Sequence, residues 1–227
     1  MLDLDPVWLT ARLAGVTTLI LLALATPLAW WLARSQSPFR PTVEAITALP
    51  LVLPPTVLGF YLLTLLSPTA PLGRLWVQLT GDALTFSFTG LVVASVVYSL
   101  PFAVQPLQRA FEGVDGRLLE AAATLGAGPR ERFARLALPL ARRGYLTAGV
   151  LAFTHTVGEF GVVLMVGGAI PGETRVISIA IYEQVETLRY GEAHVLSLGL
   201  LLFSFFVLLL VYGGNSRRLY PRGPHAR

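Results

Sequence analysis

The sequence predicts an all-α integral membrane protein with about five transmembrane helices. Only 13% of its residues are charged, about half the fraction typical of soluble domains, and its mean hydropathy is +0.66. Five apolar stretches also approach the roughly 20 residues that a spanning helix needs, at 13–33, 45–66, 84–105, 145–168 and 195–212. Because no repeat and no Ser- or Gly-rich linker divides the chain, we expect one membrane domain over residues 1–227.

The first apolar stretch is expected to be a retained helix. It is longer than the apolar core of a signal peptide, and Asp3 and Asp5 precede it where a signal peptide has basic residues. Trp30 and Trp31 would lie near its cytoplasmic interface.

Prolines interrupt the next two stretches. Pro50, Pro54 and Pro55 fall in the second, while Pro101 and Pro106 are expected to bend or end the third. Membrane helices tolerate such breaks where neighbouring helices or cavity water satisfy the freed backbone groups. The broken spans therefore either line a path or are packing kinks.

The arginines predict the orientation of the chain. Seven lie in 106–143, two in 34–44 and four in 214–227, whereas the other three connecting segments and ends hold four together. Because positive residues stay inside, the N-terminus is expected outside, and the 106–143 loop and the 214–227 tail with Arg217 and Arg218 in the cytoplasm. The basic charge then indicates topology and contact with anionic lipid, not nucleic-acid binding. The absence of cysteine excludes disulfides and thiolate metal sites.

The sequence of the loop at 106–143 predicts two short helices with a sharp turn between them. Asp115 is a candidate N-cap, Gly126 and Gly128 would end the first helix, and Pro129 suits the start of the second. An apolar side of the first helix is expected from Leu118, Leu119, Ala122 and Leu125. The loop either rests on lipid or docks into a soluble partner; its run of three alanines offers little lipid anchorage and favours docking.

Glu159 is the one acidic residue well inside a predicted span, where an ionised side chain costs a few kcal/mol or more. His155 lies four residues earlier, so the two side chains could form a hydrogen-bonded pair. With His194 or Glu192 they could instead form a metal site, as in an intramembrane metalloprotease, or they could carry protons in a secondary transporter. The preferred interpretation is a structural or gating residue beside Gly158 and Gly161, with no metal.

The chain is not expected to be an enzyme, and no residue is assigned a catalytic role. It has no lysine and therefore cannot form the Gly-x-x-x-x-Gly-Lys-Ser/Thr loop that binds ATP phosphates. This chain itself is expected to bind no cofactor.

In its cytoplasmic loop and in several of its apolar stretches, the chain resembles the permease subunits of ABC importers. The shared cytoplasmic signature, which docks on the ATPase as a coupling helix, is matched at Glu120, Ala121, Ala122, Gly126, Leu138 and Pro139. Stretches 49–63, 158–161, 170–175 and 179–182 are similar to the molybdate branch, to which sulfate and thiosulfate permeases are the closest relatives. The resemblance covers about 14–211, with departures at Ala169, where many such permeases have Asn, and at Arg142 and Arg143, where a more apolar entry into the next span is usual.

The resemblance implies a homodimer that carries molybdate or tungstate. Its partners would be two cytoplasmic ATP-binding subunits, which use ATP and Mg, and an external oxyanion-binding protein. Candidate path or gate residues are Pro54, Pro55, Thr56, Thr154, Gly158, Glu159 and Gly161; further candidate lining hydroxyls are Tyr61, Ser95, Ser99 and Thr156. These hydroxyls either face the path or bond the preceding turn of their own helix. The candidate docking surface for the binding protein is Pro171, Gly172, Glu173, Thr174 and Arg175.

Overall fold

The computed structural model describes residues 4–216, with side chains described to Leu209, and confirms the all-α prediction. Residues 217–227, which include Arg217 and Arg218, lie outside the described part. The helices are α1 (Asp5–Arg34), α2 (Arg40–Val52), α3 (Pro55–Leu66), α4 (Pro71–Thr80), α5 (Phe88–Glu112), α6 (Gly116–Thr124), α7 (Pro129–Arg132), a π-helical turn (Phe133–Ala137), α8 (Leu138–Leu140), α9 (Arg142–Gly158), α10 (Gly161–Gly167), α11 (Ile177–Glu186) and α12 (Tyr190–Ser216).

Three of the described helices, α1, α5 and α12, are long and apolar enough to cross a membrane alone. Two bent pairs raise the number of candidate spans to five: α2 with α3, at an angle of 112°, and α9 with α10, at 62°. The second predicted span is therefore two helices in sharply different directions. Leu53 is extended there, as expected for a residue before proline, and α3 begins after Pro54.

Pro101 and Pro106 are predicted to bend or end the third span, but they do not end it. Helix α5 begins at Phe88, where the Ser87 hydroxyl accepts a hydrogen bond from the Gly90 amide, and continues past both prolines to Glu112. The buried residues beyond the prolines include Phe111, so packing holds the last turns helical.

The central packing unit consists of α1, α5 and α9. Alanines on all three helices are fully buried in it, and such small side chains let membrane helices approach closely; they are Ala25, Ala29, Ala103, Ala148 and Ala152. The closest approach is between the end of α5 and the start of α9, where a Cβ on Gly144 would lie 2.3 Å from the Cβ of Ala110. This contact fixes the two helices that lead into and out of the 106–143 loop.

Arg34 joins the end of α1 to the end of α5. Its Nη2 donates to the carbonyl oxygens of Phe111 at 2.9 Å and Val114 at 2.6 Å, which lie at the carboxyl end of α5. Its guanidinium also lies over the ring of Trp30, 5.3 Å from the centroid. Trp30 itself packs edge-on against Phe111 and therefore belongs to the core, whereas Trp31 is exposed.

Candidate functional site

The segment from α6 to α8, residues 116–140, is called the coupling segment below. It starts as the sequence predicts, because Asp115 caps α6 by accepting a hydrogen bond from the Arg117 amide at 2.9 Å. Glu120 and Ala121 are exposed on α6. The signature residues at its start are therefore available to another protein.

Gly126 makes the turn that ends α6. Its φ is +89°, a left-handed conformation that glycine adopts without the steric cost of a side chain. The Gly126 amide donates to Ala123 and the Ala127 amide to Ala122, the two hydrogen bonds of a Schellman cap. Gly128 has an ordinary φ of −69° and acts only as the N-cap of α7. Of the two predicted terminator glycines, Gly126 alone carries the turn.

The predicted apolar side of α6 is mostly uncovered by this chain. Leu119 is 8% exposed and packs inward, but Leu125 is 89% exposed and Leu118 is exposed as well. An uncovered leucine at a polar turn indicates a surface that another protein can bury.

The second half of the coupling segment leads into α9. The predicted second helix is only Pro129–Arg132, and a π-helical turn carries the chain on to Leu138 and Pro139, both exposed. The π-helical turn ends at Ala137, two residues before Pro139, which has no amide hydrogen to donate to a regular helical turn. After Ala141 the chain enters α9 directly.

Glu159 forms the break between α9 and α10. It is 6% exposed, and its Oε1 accepts a hydrogen bond from the Val162 amide at 2.8 Å, which caps the start of α10. Its backbone carbonyl accepts a second hydrogen bond, from the Ser178 hydroxyl on α11, at 2.5 Å. The predicted fourth span is thus interrupted by a carboxylate cap and contains no proline at the break.

The proposed hydrogen-bonded pair of His155 and Glu159 is wrong. His155 Nδ1 is 2.9 Å from the Ser99 hydroxyl on α5, and the imidazole stacks on Phe102 with ring centroids 3.8 Å apart. Helix α9 ends at Gly158, so the regular spacing of i and i+4 residues does not extend to Glu159. Each side chain instead has a partner of its own.

The described residues contain no group of three or more His, Cys, Asp or Glu side chains that could hold a metal. His194 and Glu192 are exposed in the first turns of α12, and Glu192 is bonded to Arg189 at 3.5 Å. The arrangement therefore gives no support to the metalloprotease alternative.

The two broken spans touch each other. A Cβ on Gly161 would lie 2.7 Å from the Pro55 Cβ, and one on Gly59 would lie 2.8 Å from the Met165 Cβ. Pro54 and Thr56 are exposed beside this contact. Gly158, by contrast, is exposed and has open space around the position of a Cβ.

The candidate lining hydroxyls differ in their partners, and two of them, Ser99 and Thr156, also lie 3.2 Å from each other. Thr154 and Thr156 donate to the carbonyls four residues earlier on their own helix, at 2.8 and 2.9 Å. Ser99 bonds His155, and the hydroxyl of Ser95 is buried with no hydrogen-bond partner among the described residues. Tyr61 is 64% exposed.

The loop between α10 and α11 has an exposed part and a buried part. Pro171, Gly172 and Glu173 are exposed, whereas Thr174 is fully buried and its hydroxyl accepts a hydrogen bond from the Ile170 amide. Arg175 is ion-paired with Glu183 on α11 at 2.5 Å. Glu173 shares a cavity of about 540 Å³ with residues from the α4–α5 connection, including Asp82. The first three loop residues form a free surface, and the last two hold the loop in place.

Sequence reasoning did not connect two arginines that the fold brings together. Arg109 on α5 and Arg143 on α9 line one cavity of about 490 Å³, together with Gln105 and Thr147. The signal was present as i, i+4 spacing on both helices, 105 with 109 and 143 with 147, but only the packing of α5 on α9 shows that the two rows share a cavity.

Comparison with known proteins supports the resemblance. Residues 25–218 match the model of the family described as binding-protein-dependent transport system inner membrane component. The chain is 55% identical over 216 residues to the molybdenum transport system permease protein of Azotobacter vinelandii, covering 95% of both chains. It is 37% identical over 191 residues to the corresponding protein of Escherichia coli K12, covering 82% of this chain and 83% of that one.

A sulfate transport system permease protein of Synechocystis is 34% identical over 204 residues, covering 90% of this chain and 70% of its own. Among solved structures, a bacterial alginate ABC transporter in complex with alginate pentasaccharide-bound periplasmic protein matches with a TM-score of 0.75 and 18% identity, over 95% of this chain and 79% of that one. That similarity confirms the permease fold. The chain therefore belongs to the family of binding-protein-dependent transport system inner membrane components.

Proposed function

We propose that this chain is the membrane subunit of an ATP-driven importer for molybdate, and that tungstate uses the same route. The observation that carries the proposal is the 55% identity over 95% of both chains to a molybdenum permease, against 34% identity to a sulfate permease. The chain would work as a homodimer with two ATPase subunits in the cytoplasm and an oxyanion-binding protein outside.

The ATPase would dock on the coupling segment. Glu120 offers a charge, Ala121 allows close approach, and the exposed Leu125 offers apolar area to a groove. The segment joins the end of α5 to the start of α9, so a rigid-body displacement of the docked segment moves both helices. Arg34 and the contact of Gly144 with Ala110 make that junction stiff.

The moving part of the path would be the contact between the broken spans. Movement of α9 reaches α10 across the Glu159 cap, and α10 touches α3 at Gly161 and Pro55. Such contacts favour two discrete packings over continuous deformation. Pro54, Thr56 and Gly158 are exposed in one chain, and we infer that a second copy and the path cover them.

The orientation proposed is N-terminus outside and C-terminus cytoplasmic, following the arginine distribution. The exposed surface of Pro171, Gly172 and Glu173 would then face the loaded binding protein. The neighbouring Asp82 makes this surface acidic, so basic residues are expected on the matching face of the binding protein.

Stimulation of ATP hydrolysis in proteoliposomes tests which oxyanion the transporter carries. The complete transporter is supplied with binding protein loaded with molybdate, tungstate or sulfate at equal concentration, and phosphate release is measured. Molybdate- and tungstate-loaded protein should stimulate hydrolysis, and sulfate-loaded protein should leave the basal rate. Equal or stronger stimulation with sulfate would contradict the molybdate assignment and favour a sulfate importer.

A further inference from the structure

A basic cavity lies between α2, α5 and α9 at the end of the molecule that carries the coupling segment. Its volume is about 490 Å³, enough for a tetrahedral ion together with several waters at about 30 Å³ each. We call it the basic cavity. It is lined by Leu51, Pro101, Phe102, Gln105, Pro106, Arg109, Arg143, Gly144, Thr147 and Leu151.

No carboxylate lines this cavity, but Arg109 and Gln105 also line a neighbouring cavity that includes Glu44 and Glu112, and both of these glutamates are already paired. Glu44 and Glu112 each bind Arg40 at 3.0 Å, and both accept hydrogen bonds from the amide of Gln108, at 2.8 and 3.1 Å. Among the described residues, neither Arg109 nor Arg143 has an acidic partner. Two guanidinium groups therefore face the basic cavity without a counter-charge, and together they match the charge of a dianion.

The other lining groups suit an anion that must leave again. The side chain of Gln105 offers amide hydrogens, whereas the Thr147 hydroxyl already donates to the carbonyl of Arg143 at 3.0 Å. Arginine forks bind tetrahedral oxyanions with two parallel hydrogen bonds. Because both arginines are also exposed, the bound ion would keep part of its water and exchange quickly.

The position of the basic cavity links it to the path and to the drive. Phe102 lines the cavity and stacks on His155, which lies one turn below the Glu159 break. Arg109 precedes the coupling segment and Arg143 follows it, and each adjoins a residue of the close contact between Ala110 and Gly144, so the basic cavity moves as one unit with that segment.

We propose that Arg109 and Arg143 form an exit site in the basic cavity, which takes the tetrahedral oxyanion as it leaves the spans and releases it to the cytoplasm. This inference rests on the proposed oxyanion import. The phosphate of an anionic lipid has the same chemistry and is the other source of an oxyanion at this position. The experiment below distinguishes the two.

The complete transporter, with its ATPase and binding protein, is reconstituted in phosphatidylcholine vesicles, and uptake of radiolabelled molybdate is measured against the concentration of loaded binding protein. Variants are Arg143→Gln, Arg143→Lys and the double change Arg109→Gln with Arg143→Gln. The matched control is Arg142→Gln, which removes the same charge one residue away and outside the cavity lining. Equilibrium binding of molybdate to the nucleotide-free complex is measured on the same samples.

The double variant should lose about tenfold or more in maximal uptake and in molybdate affinity, with the half-saturating concentration of binding protein unchanged. Arg143→Lys should fall between the unmodified transporter and Arg143→Gln, because the charge remains but the two parallel hydrogen bonds of the fork are lost. The control should stay within about twofold of the unmodified transporter. If the double variant does not assemble, Arg143→Gln against Arg142→Gln gives the same comparison.

Equal uptake and binding in Arg143→Gln and Arg142→Gln would overturn the exit site. Unaltered molybdate binding, combined with loss of co-purified anionic lipid from the double variant, would also overturn it and make the cavity a lipid site. If the unmodified transporter itself moves no molybdate, the import proposal fails, a result distinguishable from failure of the exit site alone.

Discussion

Replacing Gly126 by alanine is expected to weaken the docking of the ATPase subunit while the membrane helices stay folded. A Cβ at this position meets nothing within 4 Å, so crowding contributes nothing to the effect. The cost comes from the backbone alone, because φ is +89° and a left-handed conformation costs an L-residue about 1–2 kcal/mol. If the whole cost falls on the docked state, it weakens binding of the ATPase by about 5- to 30-fold.

The assay is titration of purified ATPase subunit onto the permease in lipid nanodiscs, with Gly128→Ala as the matched control. Gly128 also has open space around its Cβ position, but its φ is −69°, which alanine adopts freely. Gly126→Ala should bind the ATPase more weakly than Gly128→Ala, and both should unfold at the same temperature. Equal affinities would refute the claim that the left-handed turn shapes the docking surface.

Three further changes test other parts of the fold and its orientation. Gly161→Ala should destabilise the purified complex by about 1–3 kcal/mol, because the new Cβ would lie 2.7 Å from a proline carbon on α3. Gly15→Ala, where a Cβ meets nothing within 4 Å, should not lower the thermal midpoint, and equal shifts would contradict the contact. Glu159→Gln should keep transport because its amide oxygen still caps α10, whereas Glu159→Leu should cost about 1 kcal/mol of stability; loss of uptake in Glu159→Gln alone would favour a proton-coupled carrier. Since the chain has no cysteine, a single cysteine at Ala121 should react with impermeant maleimide only from the cytoplasm and one at Glu173 only from outside, and the reverse pattern would invert the proposed topology.

The features that sequence predicts well here depend on local chemistry. The five apolar stretches follow from composition, and the turn after α6 follows from a glycine placed just beyond a helix with a capping aspartate. Both are decided by neighbouring residues. The interruption of the second stretch at Pro54 and Pro55 is local in the same way.

The features that sequence misses depend on contacts between distant parts of the chain. The bond between Ser99 and His155 joins residues 56 apart, and it removes the partner that the i, i+4 spacing assigned to Glu159. The break at Glu159 contains no proline; it requires a carboxylate cap and a hydroxyl from α11, and no pattern within one helix predicts the second. The joining of Arg109 to Arg143 likewise needs the packing of α5 on α9.

Uptake of radiolabelled molybdate into sealed vesicles holding the permease, its ATPase and the loaded binding protein tests whether this chain is an ATP-powered importer driven through its coupling segment. Uptake should require ATP on the side of the membrane where the ATPase lies, and collapsing the proton gradient should not affect it. It should be lost in Glu120→Arg, which reverses the charge at the docking surface while the complex stays folded. Uptake that continues without ATP, or that stays normal in Glu120→Arg, would contradict it.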